Sequence, residues 1–278
     1  MSLTRRMALG AGLAAAAAPA FAKDAAQVSP KITIVMARDE APPASDIEAW
    51  SAYEARLRAR TADGGGGRFD DAGARAAFAP TNQARAAAGA PLLAWHDELA
   101  QSARAHGGDL AHSGKVEHLS AEGFDPSHRL WLLGRTTIGS PSENLAYHHR
   151  SGPPATPATL MDQWRKSPEG HWQNLLRPSH THAAFALLRG PDQALLVGLF
   201  CRPVANLAEP LPFLAHGDEL ADAIRSLDPE LNPRLGPPQG ARQGTGAPGR
   251  RVMQLSAIRR DGPGQGDYVG GPVFLPTR

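Results

Sequence analysis

Two histidines and a glutamate, far apart in the chain, lie in segments of one kind. The first segment reads Gly114-Lys115-Val116-Glu117-His118, with Glu122-Gly123 just beyond. The second reads Ser140-Pro141-Ser142-Glu143-Asn144-Leu145-Ala146, and the third Ser167-Pro168-Glu169-Gly170-His171-Trp172-Gln173-Asn174. Each sets an imidazole or a carboxylate among small, turn-forming residues beside a helical stretch. Brought into one cleft, His118, His171 and Glu143 offer two nitrogens and an oxygen, a donor set for a divalent metal, with zinc first by ligand type. The same groups also serve as acid and base. With only three nameable ligands, metal binding is expected to be weak and exchangeable. It should fall as pH drops through about 6.5, where imidazole protonates.

The chain has eleven histidines, ten of them between His96 and His182, so these must be weighed against their neighbours. His106 falls on one helix face with Leu99, Ala103 and Leu110 and reads as a packed, hydrogen-bonded core residue. His148 and His149 are adjacent on an extended stretch and point apart. His180 and His182 share a face if their segment is strand-like, as an accessory metal pair or as rim residues. Ser142 and Ser167 lie outside any Gly-x-Ser-x-Gly elbow, which disfavours a serine hydrolase. The glycine run Gly64–Gly67 lacks the Gly-Lys-Ser/Thr of a phosphate loop. Cys201 is the one cysteine; it excludes an internal disulfide and any multi-cysteine metal site, and at the end of an apolar run it reads as an inert buried thiol. The 29 basic and 27 acidic residues are mixed, so no nucleic-acid face is implied.

The elements that must position these groups are legible from pattern. Asp46 opens a helix with acidic residues early and Arg56, Arg58 and Arg60 late. Ala74–Ala88 is helical by propensity, with Pro80 near a first turn or break and Gly89 as stop. Further helices are expected at about Trp95–Ala111, at Arg129–Leu133 and at Thr156–Lys166. Ala183–Leu188 and Ala194–Phe200 predict an antiparallel hairpin. Helices followed by a hairpin predict an α+β layered domain.

The ends differ in composition. Residues 1–22 carry Arg5-Arg6 before a weakly apolar run and the small-x-small site Ala20-Phe21-Ala22, the pattern of a twin-arginine export signal, which predicts a periplasmic or extracellular protein. No transmembrane segment is expected in the mature chain. Residues 23–70 read as an N-terminal extension with a β segment at Lys31–Met36 and a flexible glycine linker, 71–205 as the organised domain, and 206–278 as a flexible Pro/Gly-rich extension with one helix at about Asp218–Leu227. Residues 235–250 read as disordered.

Taken in order, the boxes resemble the CAP superfamily (cysteine-rich secretory proteins, antigen 5 and pathogenesis-related proteins), in its bacterial secreted branch. The resemblance spans about 78–203. It runs from Asn82 and Arg85 through Trp95, Leu99, Ala103, His106 and His118 to Arg129, Leu130 and Gly134. Glu143-Asn144-Leu145-Ala146 is similar to the family's Gly-Glu-Asn box. Trp164 with Ser167-Pro168-Glu169-Gly170-His171 is similar to its Trp–Ser-Pro-Gly-His box with one residue inserted. The resemblance implies a three-layer α-β-α sandwich with a central antiparallel sheet. It also implies an open cleft holding two histidines and acidic partners, sometimes with a divalent metal. His118, Glu143 and His171 carry over; a fourth, acidic member has only Asp162 and Glu169 as neighbours in sequence. Ser142 in place of the box glycine, Trp172 in place of a basic residue, and Ala184 and Ala186 in place of strand-flanking glycines depart from the pattern. The family shares no single activity, so three readings stand. Ranked first is a secreted module that binds a lipid, a cell-wall fragment or a protein. The others are a metal-assisted hydrolase in which Glu143 activates water, and an interaction protein with a vestigial site.

Overall fold

The computed structural model describes residues 41–149, 155–190, 193–244, 250–260 and 266–277; the expected export signal and the expected Lys31–Met36 β segment lie outside them. Alternation in two neighbouring strands organises the centre. In β5 (His182–Arg189) and β6 (Gln193–Cys201), paired antiparallel from His182↔Cys201 to Arg189↔Ala194, nearly every residue is buried. A strand covered on both faces reads as such a continuous apolar run. Ala183, Phe185 and Leu187 with Leu196 and Phe200 face one helical layer. Ala184, Ala186 and Leu188 with Leu195, Val197 and Leu199 face the other.

The first layer holds α2 (Asp71–Ala76), α3 (Phe78–Ala87), α6 (Pro157–Arg165) and α7 (Gln173–Leu176), whose Ala74, Leu160, Trp164 and Leu175, with Ala77 between α2 and α3, share one cluster with the sheet. The second holds α4 (Asp97–Ser113) and α5 (Pro126–Leu133), through Leu99, Ala103, Leu110 and Leu130. Pro80 is tolerated because it falls in the first turn of α3, and Gly89 stops that helix at φ 71°. β1 (Arg68–Phe69) and β2 (Ala94–Trp95) flank β5, and β4 (Ser142–His149) pairs with β6 alone, as an edge strand. The expected three-layer α-β-α sandwich is therefore present.

The expected flanks are corrected. α1 (Ile47–Asp63) is capped by Asp46, and its Trp50, Tyr53 and Leu57 are fully buried against Phe124, Trp131, Leu132, Val273 and Leu275. The glycine run is a tight seam and not a flexible linker: Gly65 adopts φ 61°, and a Cβ there would lie 1.8 Å from the Gly108 carbonyl of α4. After β3 (Thr137–Ile138) pairs with β7 (Ala205–Asn206), the expected flexible 206–278 extension instead folds. α8 (Gly217–Arg225) accompanies a sheet of β8 (Leu214–Ala215), β9 (Arg234–Gly236), β10 (Met253–Arg259) and β11 (Asp267–Pro276), in the order β8-β11-β10-β9. Composition hid it because these strands bury Leu255, Ala257, Val273 and Phe274 between stretches rich in proline and glycine. Of the 235–250 stretch expected to be disordered, the described part includes β9 and the bond from His128 Nε2 to the Gln239 carbonyl, 2.8 Å.

Candidate functional site

Glu143 and Asn144 stand next to each other on the edge strand, so their side chains leave on opposite faces. Glu143 turns to the α4–α5 layer. Its Oε2 accepts from Arg129 Nη2 at 2.8 Å and its Oε1 from His118 Nδ1 at 2.8 Å, with His106 Nε2 at 3.5 Å. Asn144 turns to the other layer and donates to the His171 carbonyl at 2.8 Å. His118 comes from the loop between α4 and α5. His171 comes from a π-helical turn, Pro168–Trp172. Their rings, carried by opposite helical layers, lie 6.5 Å apart between centres. The two predicted histidines and the glutamate thus come together in one place.

Charge is held tightly there. Arg129 is fully buried and Glu143 is 3% exposed. Burial pushes the Glu143 carboxyl up, but the Arg129 guanidinium, with contributions from His106 and His118, outweighs it and holds the pKa at about 2. His106, the packed histidine of the α4 stripe, is pushed down to about 3 by burial, helped by Arg129, and hydrogen-bonds the Glu117 carbonyl at 2.9 Å. Arg129 is held in turn by the carbonyl of His118 at 2.9 Å. Tyr53 of α1, stacked on Phe124 at 4.1 Å, lies behind it, with its phenol raised to about 12 by burial. The ionised Glu143 accepts the Nδ1 proton of His118, so the His118 Nε2 keeps its lone pair. That Nε2 and the Nε2 of His171 are both buried without a protein partner. His171 is lowered by burial and by the nearby His118.

Of the expected three-ligand set, Glu143 is hydrogen-bonded through both oxygens to Arg129 and His118, so it orients His118 as second-layer carboxylates orient metal-bound imidazoles. The donors left without a partner are the two imidazoles, and among the described residues no group of three or more His, Cys, Asp or Glu side chains is placed to hold a metal. The chemistry of the pair fits a divalent ion. The spacing is wide: with metal–nitrogen bonds of about 2.0–2.1 Å, ring centres on a tetrahedral ion fall roughly 5.2 Å apart, so the rings must close by about one ångström. Asp162 and Glu169 are exposed, and Asp162 pairs with Arg165 at 3.8 Å; neither supplies the fourth acidic group. Arg129 is the residue that pattern reading passed over as a helix marker. Its signal is a lone charge inside Ser127–Leu133, all buried, which demands a buried partner.

A second network supports His171. Asn174 Nδ2 donates to Asn144 Oδ1 at 2.9 Å, and Asn174 Oδ1 accepts from the Ser142 hydroxyl at 2.7 Å and from His180 Nε2 at 3.1 Å. Ser142 is thus spent as a positioning donor. His180 lies before β5, which starts at His182, so the two are not strand neighbours; His180 is buried, stacked on Phe200 and pushed down to about 4 by burial. Cys201 is buried, and burial raises its thiol to about 12, as expected of an inert residue. No helix among the described residues is long and apolar enough to cross a membrane.

An α-β-α sandwich with a histidine pair and a locked glutamate at an edge strand defines the class. Residues 78–200 match the model of the cysteine-rich secretory protein family, and this segment of the chain belongs to the CAP superfamily. An outer surface protein from Borrelia burgdorferi is 17% identical, covering 49% of this chain and 98% of its own, with a TM-score of 0.42. An extracellular protein with an SCP domain from Bacillus anthracis is 24% identical, covering 48% and 41%, with a TM-score of 0.39. A cysteine-rich secretory protein from Staphylococcus aureus is 20% identical, covering 47% and 38%, with a TM-score of 0.33. The chain spans less than half the length of these last two. No curated protein matches the sequence.

Proposed function

We propose that this chain is an exported binding module whose cleft, walled by His118 and His171, takes a ligand of the cell envelope (a lipid, a cell-wall fragment or a protein segment) and holds a divalent metal weakly, zinc by ligand type. The observation that carries this reading is the pair of buried, unpartnered Nε2 atoms on His118 and His171. An imidazole lone pair kept from water and from protein partners suits an incoming Lewis acid or hydrogen-bond donor. A bound ion would supply Lewis acidity to a ligand oxygen; the chain's own part is to fix the His118 tautomer through Glu143 and to hold the His171 backbone through Asn144. The hydrolase reading is weaker, because a Glu143 held at a pKa of about 2 by Arg129 is a poor base for taking a proton from water. Export rests on Arg5-Arg6 and on the secreted character in the family's name.

Titration calorimetry with zinc tests the cleft. The wild type should bind weakly, and His118→Ala and His171→Ala should each reduce affinity at least tenfold. Equal affinity in all three proteins would remove the shared site.

A further inference from the structure

A second imidazole pair lies away from the cleft. His96 is the residue before the first turn of α4, and His182 opens β5. The parallel pairing Ala94↔His182 and the bond from His96 N–H to the Ala183 carbonyl, 3.2 Å, bring them side by side. Their ring centres are 5.4 Å apart with planes at 84°.

The hydrogen bonds around His96 fix its tautomer. The Glu98 carboxylate accepts the N–H of Thr136 at 2.9 Å and of Thr137 at 3.0 Å, and both hydroxyls as well. The Thr137 hydroxyl donates to the carboxylate of Glu98, with Asn206 Oδ1 a second acceptor at 3.3 Å, and Thr137 Oγ1 is left to accept from His96 Nε2, 3.4 Å away. The His96 proton sits on Nε2, and Nδ1 keeps its lone pair. That Nδ1 is buried and has no protein partner. A carboxylate acting through a hydroxyl to set an imidazole is the outer-layer arrangement found behind metal-bound histidines. On His182, Nδ1 is engaged by the Thr181 hydroxyl at 2.9 Å, leaving Nε2, and the half-buried ring gives access from solvent.

We propose that His96 and His182 form a second site, independent of the cleft, for a divalent transition-metal ion of imidazole preference. The ring spacing suits one shared ion. An ion at about 2.0–2.1 Å from two imidazole nitrogens at a near-tetrahedral angle sets the ring centres roughly 5.2 Å apart. The observed 5.4 Å meets that spacing, whereas the 6.5 Å of the cleft pair exceeds it. With two protein nitrogens and water in the other positions, binding is exchangeable.

Copper(II) is the probe, because it binds nitrogen donors most tightly among first-row divalent ions and reports its nitrogens by electron paramagnetic resonance. The full chain carrying His118→Ala and His171→Ala removes the cleft pair. In that background one equivalent of copper should still bind, with hyperfine structure from two imidazole nitrogens. Adding His182→Ala, or His96→Ser, which places a good helix-capping residue at the N-cap of α4, should weaken binding at least tenfold and remove one nitrogen from the spectrum. Thr137→Val should weaken it 10–100-fold through lost orientation. Unfolding midpoints confirm that each variant is folded. Absence of bound copper in the cleft-deleted protein, or binding indifferent to both His182→Ala and His96→Ser, overturns the proposal. Loss of zinc from the cleft variants alone bears only on the proposed function.

Discussion

Replacing Glu143 by glutamine removes one charge from the centre of the site and little volume. Arg129, fully buried, then has no anion. Two routes give the cost. Breaking a buried ion pair by neutralising one partner costs about 3–5 kcal/mol. Independently, a carboxyl lowered from 4.5 to about 2 carries about 3 kcal/mol of folding free energy at neutral pH. The sign follows from the depressed pKa. The unfolded chain binds the proton first, so this contribution is complete above pH 4.5 and is lost as pH falls toward 2. Urea unfolding of Glu143→Gln at pH 7 should therefore show a loss of about 3 kcal/mol. Between pH 4.5 and 3.5 the gap to the wild type should narrow by about 1 kcal/mol, because only the wild type takes up that proton. A loss below about 1 kcal/mol at pH 7, or a gap constant with pH, would refute the claim that Glu143 is an ionised, Arg129-bound group.

Three other outcomes are expected. His106 and His180, with folded pKa values of about 3 and 4, stay neutral while the unfolded chain protonates below 6.5; stability should drop by about 2 kcal/mol for each between pH 6.5 and 5, and a urea midpoint flat over that range would contradict it. A fragment of residues 71–205 should be unfolded by circular dichroism, because excision strips Trp50, Tyr53, Leu57, Val273 and Leu275 from the cluster around Trp131; a cooperative thermal transition in the fragment would show that the flanks are dispensable. Arg5→Lys with Arg6→Lys should leave precursor in the cytoplasm, and normal appearance of the double variant in the periplasm would remove twin-arginine export.

Much of the sandwich was legible because its signals are local. Asp46 caps α1, Pro80 and Gly89 bound α3, and the hairpin of β5 and β6 announces itself by two apolar runs separated by turn-forming residues in the sequence. His118, Glu143 and His171 were found as a set by the order of their boxes. The role of Glu143 was not, because it depends on Arg129, whose approach is a tertiary fact. β4 read as a loop since its polar half, Ser142-Glu143-Asn144, is spent on side-chain hydrogen bonds. The C-terminal sheet was missed because the apolar residues of β10 and β11 follow no clear period, β8 and β9 are only two and three residues long, and β8 pairs in parallel with β11 some 60 residues on. Nor does any periodicity link His96 to His182; a parallel bridge of two residues does.

The edge position of β4 gives the cleft a mechanical character. His118 rides on the layer of α4 and α5, and His171 on the layer of α6 and α7, with the sheet between them. A ligand or ion that bridges the imidazoles is therefore a rivet through the sandwich, joining two helical sheaths that elsewhere meet through the strands and through the ion pairs of Arg75 with Asp97 and Arg104 with Asp71. It resists sliding of one sheath over the other, and any sliding alters the 6.5 Å ring separation. Occupancy of the cleft and shear of the fold are in this way two readings of one coordinate.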